Sequence, residues 1–228
     1  TYFGSLLGYR PRWSTHLTET TALRQADRIV AVSRFAAKTT QQLFRLAKPI
    51  GFIPNGINLE RFYPFSSDEE DSSLILYLGS LVRKKGVLNL AEIFSQVAAR
   101  NSSAKLLLVG RDSADRETGE ASTWSLFQKK SSSRALKRIE YVGPKPSNEV
   151  VNFIHKAAVC VFPSFAEALP LAWMETMSCG KSVVASNIGW ASEIIENQVS
   201  GVLIHPSDHT AYADVLIELL NNPDKRKA

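Results

Sequence analysis

Glu167 and Glu175 have seven residues (168–174) between them, Pro170 among these, in the stretch PSFAEALPLAWMETMSCGKSVVAS (163–186). A proline costs a helix nothing at its first position, where the missing N–H has no partner to lose. Pro170 is therefore expected to be the first residue of a helix that follows the apolar run Val159–Phe162. Glu167 then lies in the loop before that helix, and Glu175 lies about 7–8 Å along its axis. Two carboxylates so placed can accept hydrogen bonds from hydroxyls at separated points of one extended ligand. The N–H groups of Ala168, Leu169 and Leu171 are left free at the helix N-terminus, whose partial positive charge suits a phosphate. On helix chemistry alone another reading stays open, in which Glu167 complements the helix dipole and Glu175 is a solvated helix residue. A second constellation is Gly79–Gly86, GSLVRKKG, directly after the apolar run Leu74–Leu78. Arg83, Lys84 and Lys85 offer cationic donors there, and Gly86 lets the next helix start tightly. That place, at the C-terminal end of a parallel strand, is where open α/β sheets take their ligands. A phosphate is the natural partner, with a merely solvated basic turn as the alternative. The turn Asn187–Gly189 with Glu193 is a third candidate at the same sheet edge.

Other chemistries lack their residues. There is no Gly-x-Gly-x-x-Gly or P-loop pattern and no Gly-x-Ser-x-Gly elbow. No Asp-x-Asp pair is present, and His16, His155, His205 and His209 fall at no zinc spacing. Pro206 also breaks any helix that His205 and His209 could share, so these two read as structural. No metal and no cofactor are expected. The 228 residues carry a net charge of +5, from 27 Lys and Arg against 22 Asp and Glu, and 44% are hydrophobic. That composition excludes wholesale disorder. The basic residues are scattered with no aromatic-interleaved stripe, so no nucleic-acid partner is expected. No apolar run reaches the ~18–20 residues of a membrane span, and no basic-then-apolar leader is visible. Cys160 and Cys179, both in apolar surroundings, are too few for a disulfide framework and point to a reducing, cytoplasmic setting. Peripheral contact with a membrane, through Arg10, Arg12 and Trp13 or through Lys129 and Lys130, is a further expectation.

The elements that must hold these groups alternate in type. Apolar β-branched runs at Arg28–Val32, Ile50–Ile53, Leu74–Leu78, Lys105–Val109, Arg138–Val142, Val159–Phe162, Ser182–Ala185 and Gly201–Ile204 read as strands buried on both faces. Helix-period stretches separate them: Ser33–Leu46, Val87–Arg100, Ser147–Ala157, Leu171–Cys179, Trp190–Glu196 and Asp208–Leu220. Ser33, Ser147 and Asp208 are the expected N-caps. Right-handed strand–helix–strand crossovers then give a doubly wound, Rossmann-like α/β parallel sheet. Residues 58–73, which include Pro64 and the acidic run SSDEEDSS, have the composition of a linker. Residues 74–228 form one α/β unit, and residues 1–57 read as the end of another domain. The stretch Arg111–Lys137 is expected to be a surface excursion.

Ordered along this frame, the motifs resemble the C-terminal half of retaining, GT-B-type glycosyltransferases of family 4. ADRIVAVS (26–33) is similar to the family's last N-domain strand and turn, and IPNGIN (53–58) to its interdomain crossover. Glu167-x7-Glu175 matches its paired-glutamate motif, and SNIGWASE (186–193) with Ser200-Gly201 its closing donor-site loop and strand. The resemblance covers nearly the whole chain. It implies transfer of a sugar from a UDP- or GDP-sugar to a glycan, lipid-linked or similar acceptor, in polysaccharide or cell-envelope biosynthesis. It makes Lys85 the group that neutralises the donor diphosphate and Glu167 the holder of the sugar hydroxyls, with Ala168, Leu169 and Pro170 beside it. Glu175 binds the ribose, Tyr141, Val142 and Gly143 border the base, and Gly79, Ser80, Arg83 and Gly189 complete the donor site. Ser80 stands where the family usually has Arg, which leaves the diphosphate to Lys85 with help from Arg83 or Lys84. Trp190 stands at a position that is often Gly, where it either narrows sugar choice or packs. Asn58 replaces the usual Asp. The family's acceptor-binding N-domain is nearly absent, and the chain ends before the long helix that crosses back over both domains. The alternative class of function is a non-catalytic nucleotide-sugar-binding module or partner-dependent subunit.

Overall fold

A computed structural model of the chain describes residues 2–8, 12–64 and 70–226. Its first part holds α1 (Tyr2–Leu6), α2 (Trp13–Gln25), β1 (Val30–Ala31), α3 (Arg34–Phe44) and β2 (Gly51–Phe52). β1 and β2 pair in parallel, Val30 with Gly51 and Ala31 with Phe52. Both strands are shorter than the apolar runs that announce them. Ser33 leaves β1 to cap α3, its hydroxyl accepting from the Ala36 N–H at 3.0 Å. α3 buries Ala36 and Phe44 and ends at Arg45 in the left-handed region, φ 48°.

Six parallel strands follow: β3 (Asp71–Leu78), β4 (Lys105–Val109), β5 (Ile139–Tyr141), β6 (Ala157–Phe162), β7 (Ser182–Ser186) and β8 (Val202–Ile204). Their order is β5-β4-β3-β6-β7-β8. The helices between and after them are α4 (Val87–Arg100), α5 (Thr123–Lys130), α6 (Ser133–Leu136), α7 (Ser147–Lys156), α8 (Leu171–Ser178), α9 (His209–Asn221) and α10 (Pro223–Arg226). Strand alternation divides the core into two layers. Ile75 and Tyr77 of β3 face α4 and α9, while Leu76 and Leu78 face the layer that includes Ile154 of α7 and Trp173 of α8. Helices on both faces of a parallel sheet are the doubly wound arrangement expected from the sequence. The strand order reverses between β3 and β6, so the crevice between their C-terminal ends is where a ligand belongs.

Some boundaries differ from expectation. β3 begins at Asp71, so Asp71–Ser73 of the expected linker belong to the sheet, tied by a 2.9 Å ion pair from Lys105 to Asp71. Residues 65–69 of that linker lie outside the described residues, as does Arg10 of the expected membrane contact. Arg111–Lys137 is no surface excursion, because α5 and α6 bury Phe127 and Ala135 completely. Two aspartates organise it. Asp112 accepts from Ser122 Oγ and the Trp124 N–H, and Asp115 from Thr118 and Arg83. Pro170 is extended (φ −74°, ψ 112°) and caps α8 from outside its first turn. Pro146, with no capping side chain, precedes α7, and the Ser147 hydroxyl accepts from Arg61 instead. The helix expected at Trp190–Glu196 is one 3-10 turn, Ala191–Glu193, since the chain turns back through the Asn197–Gly201 bridge to enter β8.

Candidate active site

The crevice at the switch point rests on three strand-end glycines. The Gly79 N–H donates to the Val109 carbonyl at 2.9 Å, and the Gly110 N–H to the Gly143 carbonyl at 3.0 Å. Gly110 has φ 153°, and a methyl added to it would lie 2.0 Å from the Gly79 carbonyl oxygen. Side chains are thus excluded where β3 and β4 end side by side. Sequence reasoning singled out Gly79 and Gly143 and missed Gly110. The signal was the recurrence of an apolar residue and Gly at three strand ends, Leu78-Gly79, Val109-Gly110 and Val142-Gly143.

Two loops meet beside these ends. Arg83–Lys85 form a 3-10 turn after β3, and Gly86 closes it at φ 68°. The Lys84 carbonyl accepts from the Phe165 N–H at 2.8 Å and the Ala166 N–H at 3.3 Å, which ties this turn to the loop after β6. The result brings Lys85 Nζ to 3.2 Å from Glu167 Oε1. Ser164 Oγ donates to the same oxygen at 3.3 Å, and both Ser164 and Glu167 are buried. These side chains line a cavity of about 280 Å³ together with Asn55, Tyr77, Leu169 and Pro170. Tyr77 is fully buried and donates its hydroxyl to the Ser80 carbonyl at 3.0 Å. Burial, and after it the charge of Glu167, pushes the Tyr77 phenol upward, so it remains a neutral donor. Asn55 of the IPNGIN crossover donates to the Leu169 carbonyl at 3.4 Å. Asn55, Tyr77 and Ser164 were not among the expected site residues. Tyr77 lies in an apolar run that read only as core, and Ser164 lies in the stretch 163–186 without a role assigned to it.

The remaining candidates lie around this pair. Arg83 is held by Asp115 through two hydrogen bonds, 3.0 and 2.7 Å, with Glu117 at 3.0 Å. That guanidinium, with Thr118, holds the Asp115 carboxyl well below the usual carboxylate range. Lys84 places Nζ 3.8 Å above the Phe3 ring, and burial lowers its pKa. Only Lys85 of the three cations lines the cavity. Glu175 does not line it, and sits half-buried in α8. Burial raises its pKa and the charge of Arg61 opposes the rise. Arg61 in turn donates to Ser147 Oγ at 2.8 Å, and Asn58 Oδ1 accepts from the N–H groups of Glu60 and Arg61, as an aspartate would. Tyr141 donates its hydroxyl to the Gly110 carbonyl at 3.0 Å, with its ring 5.0 Å from Trp124. Val142 donates its N–H to the Leu108 carbonyl. A methyl on Gly189 would lie 2.3 Å from the Phe35 ring, and Trp190, fully buried, meets that ring edge-on at 6.1 Å. Trp190 therefore packs. Glu193 caps α3, accepting from the Arg34 and Phe35 N–H groups at 2.8 and 2.7 Å. A larger cavity, about 550 Å³, lies at the other end of the sheet beside Ser182, Gly201 and Arg226 and contains none of these groups. Among the described residues no group of three His, Cys, Asp or Glu is placed to hold a metal ion. No helix among them is long and apolar enough to cross a membrane.

A cation paired with a carboxylate at the open ends of β3 and β6 can meet a phosphate and a polyhydroxyl group side by side. Comparison with known proteins points the same way. Residues 60–228 match the family model described as glycosyl transferases group 1, and residues 1–61 match glycosyltransferase family 4. The D-inositol 3-phosphate glycosyltransferase of Thermobifida fusca is 29% identical over 222 residues, covering 90% of this chain and 51% of that protein. The lipopolysaccharide 1,2-N-acetylglucosaminetransferase of Salmonella typhimurium is 30% identical over 168 residues, covering 68% of this chain and 43% of that protein. The sucrose-phosphate synthase structure from Thermosynechococcus elongatus superposes with a TM-score of 0.79 at 25% identity, over 96% of this chain and 55% of that one. The chain spans about half the length of the curated relatives it matches.

Proposed function

The chain belongs to the group 1 glycosyl transferases, and we propose that it forms the donor-binding half of an enzyme that moves a sugar from a UDP- or GDP-sugar to a glycan or lipid-linked acceptor. The observation that carries this reading is the Lys85–Glu167 pair, 3.2 Å apart in the cavity at the switch point. When the bond from the anomeric carbon to the diphosphate oxygen breaks, negative charge collects on the leaving group. Lys85 meets that charge with a donor already in place, and preorganised charge of this kind is commonly the largest catalytic contribution. Ser80, in place of a cation, leaves this work to Lys85, because Arg83 is spent on Asp115. Glu167 accepts from sugar hydroxyls, and the Ala168 and Leu169 N–H groups lie beside it. Glu175 takes the ribose hydroxyls, and residues 141–143 border the base. The anomeric carbon passes through an oxocarbenium-like state, with retention of configuration. The Salmonella relative, named for lipopolysaccharide, supports a glycan acceptor.

The test is Lys85→Ala in the full-length protein, assayed for transfer and donor hydrolysis over a panel of UDP- and GDP-sugars. Transfer falls about 10²–10³-fold, the usual cost of removing one such donor. Near-normal transfer overturns the assignment. Nucleotide binding without turnover in the wild type marks a non-catalytic binding module. Proton NMR of the product linkage reads retention directly.

A further inference from the structure

We propose that Tyr2 and Phe3, adjacent residues of α1, are positioning residues that hold the two active-site loops at a fixed separation, a role that rests on the donor-site reading above. The Tyr2 hydroxyl donates to the Glu167 main-chain carbonyl at 3.1 Å. The Phe3 ring lies 3.8 Å beneath Lys84 Nζ, and Lys84 precedes Lys85. One helical turn therefore grips both sides of the Lys85–Glu167 pair. The two rings brace each other edge-on at 5.2 Å, and Leu6, on the same helix, packs on the sheet layer below. Residues 163–170 lie outside helices and strands, so the position of the Glu167 carboxylate depends on what fixes this backbone. Asn55 adds a second bond two residues on, at the Leu169 carbonyl. Both bonds come from the N-terminal part of the chain, across the crevice from the sheet.

Tyr2 and Phe3 do not line the cavity, so neither is a catalytic residue. Burial, then the charges of Glu193 and Glu167, push the Tyr2 phenol up to about 12. The hydroxyl therefore stays a donor at any working pH, and its proton is directed to the Glu167 carbonyl.

Tyr2→Phe in the full-length protein removes one hydrogen bond and little else. With a donor that the wild type turns over, drawn from UDP-glucose, UDP-N-acetylglucosamine and GDP-mannose, kcat falls about tenfold, the equivalent of one such bond. The Kd for UDP or GDP alone, the Tm and the shape of the pH–rate profile stay as in the wild type. Unchanged kcat overturns the proposal. So does a loss shared between kcat, nucleotide affinity and Tm, which marks a role in stability alone, or a displaced limb of the pH profile, which marks direct proton transfer. A readout independent of turnover is hydrogen exchange at residues 165–169. Exchange there quickens in both Tyr2→Phe and Phe3→Leu, and unaltered exchange overturns the proposal. A wild type that neither binds UDP or GDP nor turns over a nucleotide sugar sinks the donor-site reading, and the exchange result then decides the clamp on its own.

Discussion

Glu167 and Glu175 are the same residue type flanking one helix start, yet their surroundings oppose each other. Glu167 has a lysine at 3.2 Å and a serine hydroxyl at 3.3 Å. Glu175 is half-buried, and its burial outweighs the charge of Arg61, so its pKa is raised. A carboxyl whose folded pKa is raised contributes stability that is present below its unfolded value and is lost as pH climbs through the folded one. At neutral pH Glu175 therefore costs stability. Glu175→Gln should raise the Tm at pH 7 and leave it unchanged below about pH 3, where the wild-type carboxyl is protonated in both states. If Glu175 receives the ribose hydroxyls, the same variant weakens UDP or GDP binding about tenfold by calorimetry, the cost of one hydrogen bond to a charged acceptor. A variant that gains stability and keeps its nucleotide affinity refutes the ribose assignment. The Glu-x7-Glu spacing was legible because a proline marks the helix start between the two residues. The partners were not legible: that Arg83 turns to Asp115 and Lys85 to Glu167 is a choice between adjacent cations made by tertiary packing.

Strands β3, β4, β6 and β7 were readable because burial on both faces leaves continuous apolar runs, and the helix pattern at Val87–Arg100 survives intact for the same reason. Arg111–Lys137 was unreadable because side-chain bonds rather than apolar periodicity order it, with Asp112 and Asp115 as their centres. Asp115 is buried and its pKa is depressed, chiefly by Arg83. The sign is opposite to that of Glu175: its stability is present above the unfolded pKa and is lost as pH falls toward the folded one. Asp115→Asn should cost about 1–3 kcal/mol at pH 7, below the full penalty for a broken buried pair because Arg83 is partly solvated. Its urea midpoint should fall less steeply than the wild type's between pH 5 and pH 2, and parallel curves would refute the linkage. Gly86 tests the contact between the loops themselves. It sits at φ 68°, and a methyl on it would lie 1.8 Å from the Pro163 carbonyl oxygen, a backbone atom that cannot rotate away. Gly86→Ala must push the loops after β3 and β6 apart, at a cost of more than about 1 kcal/mol from the left-handed backbone alone. Turnover should then fall with the Tm. A variant with normal turnover would show that the loops need not touch.

At the scale of the molecule, the N-terminal part reaches the six-stranded sheet through the crossover at residues 53–58, through α1, and through the start of α3. The last of these is the most economical, since one carboxylate from the turn after β7 satisfies two main-chain donors of a helix that belongs to the other part. Glu193 accepts from Arg34 and Phe35, Ser33 accepts from Ala36, and the Phe35 ring fills the space that Gly189 leaves open. The glycine is required because any side chain there would strike that ring. The sequence reading placed Gly189 and Glu193 in a turn at the edge where the strands end, and the turn after β7 is there, but a reading confined to local spacing could not see that a helix more than a hundred residues earlier starts on it. A carboxylate at a helix N-terminus is worth about 0.5–2 kcal/mol. Glu193→Ala should therefore speed hydrogen exchange at the Arg34 and Phe35 amides about twofold to thirtyfold. Exchange at Ile75 and Val159, in the centre of the sheet, should not change, because both face the layer opposite to the one on which Phe35 of α3 packs. If the carboxylate holds the two parts in register, the full-length variant also loses transfer while its sheet keeps full protection. Unaltered exchange at residues 34 and 35 would mean that Ser33 suffices to cap the helix and that Glu193 contributes nothing to the junction.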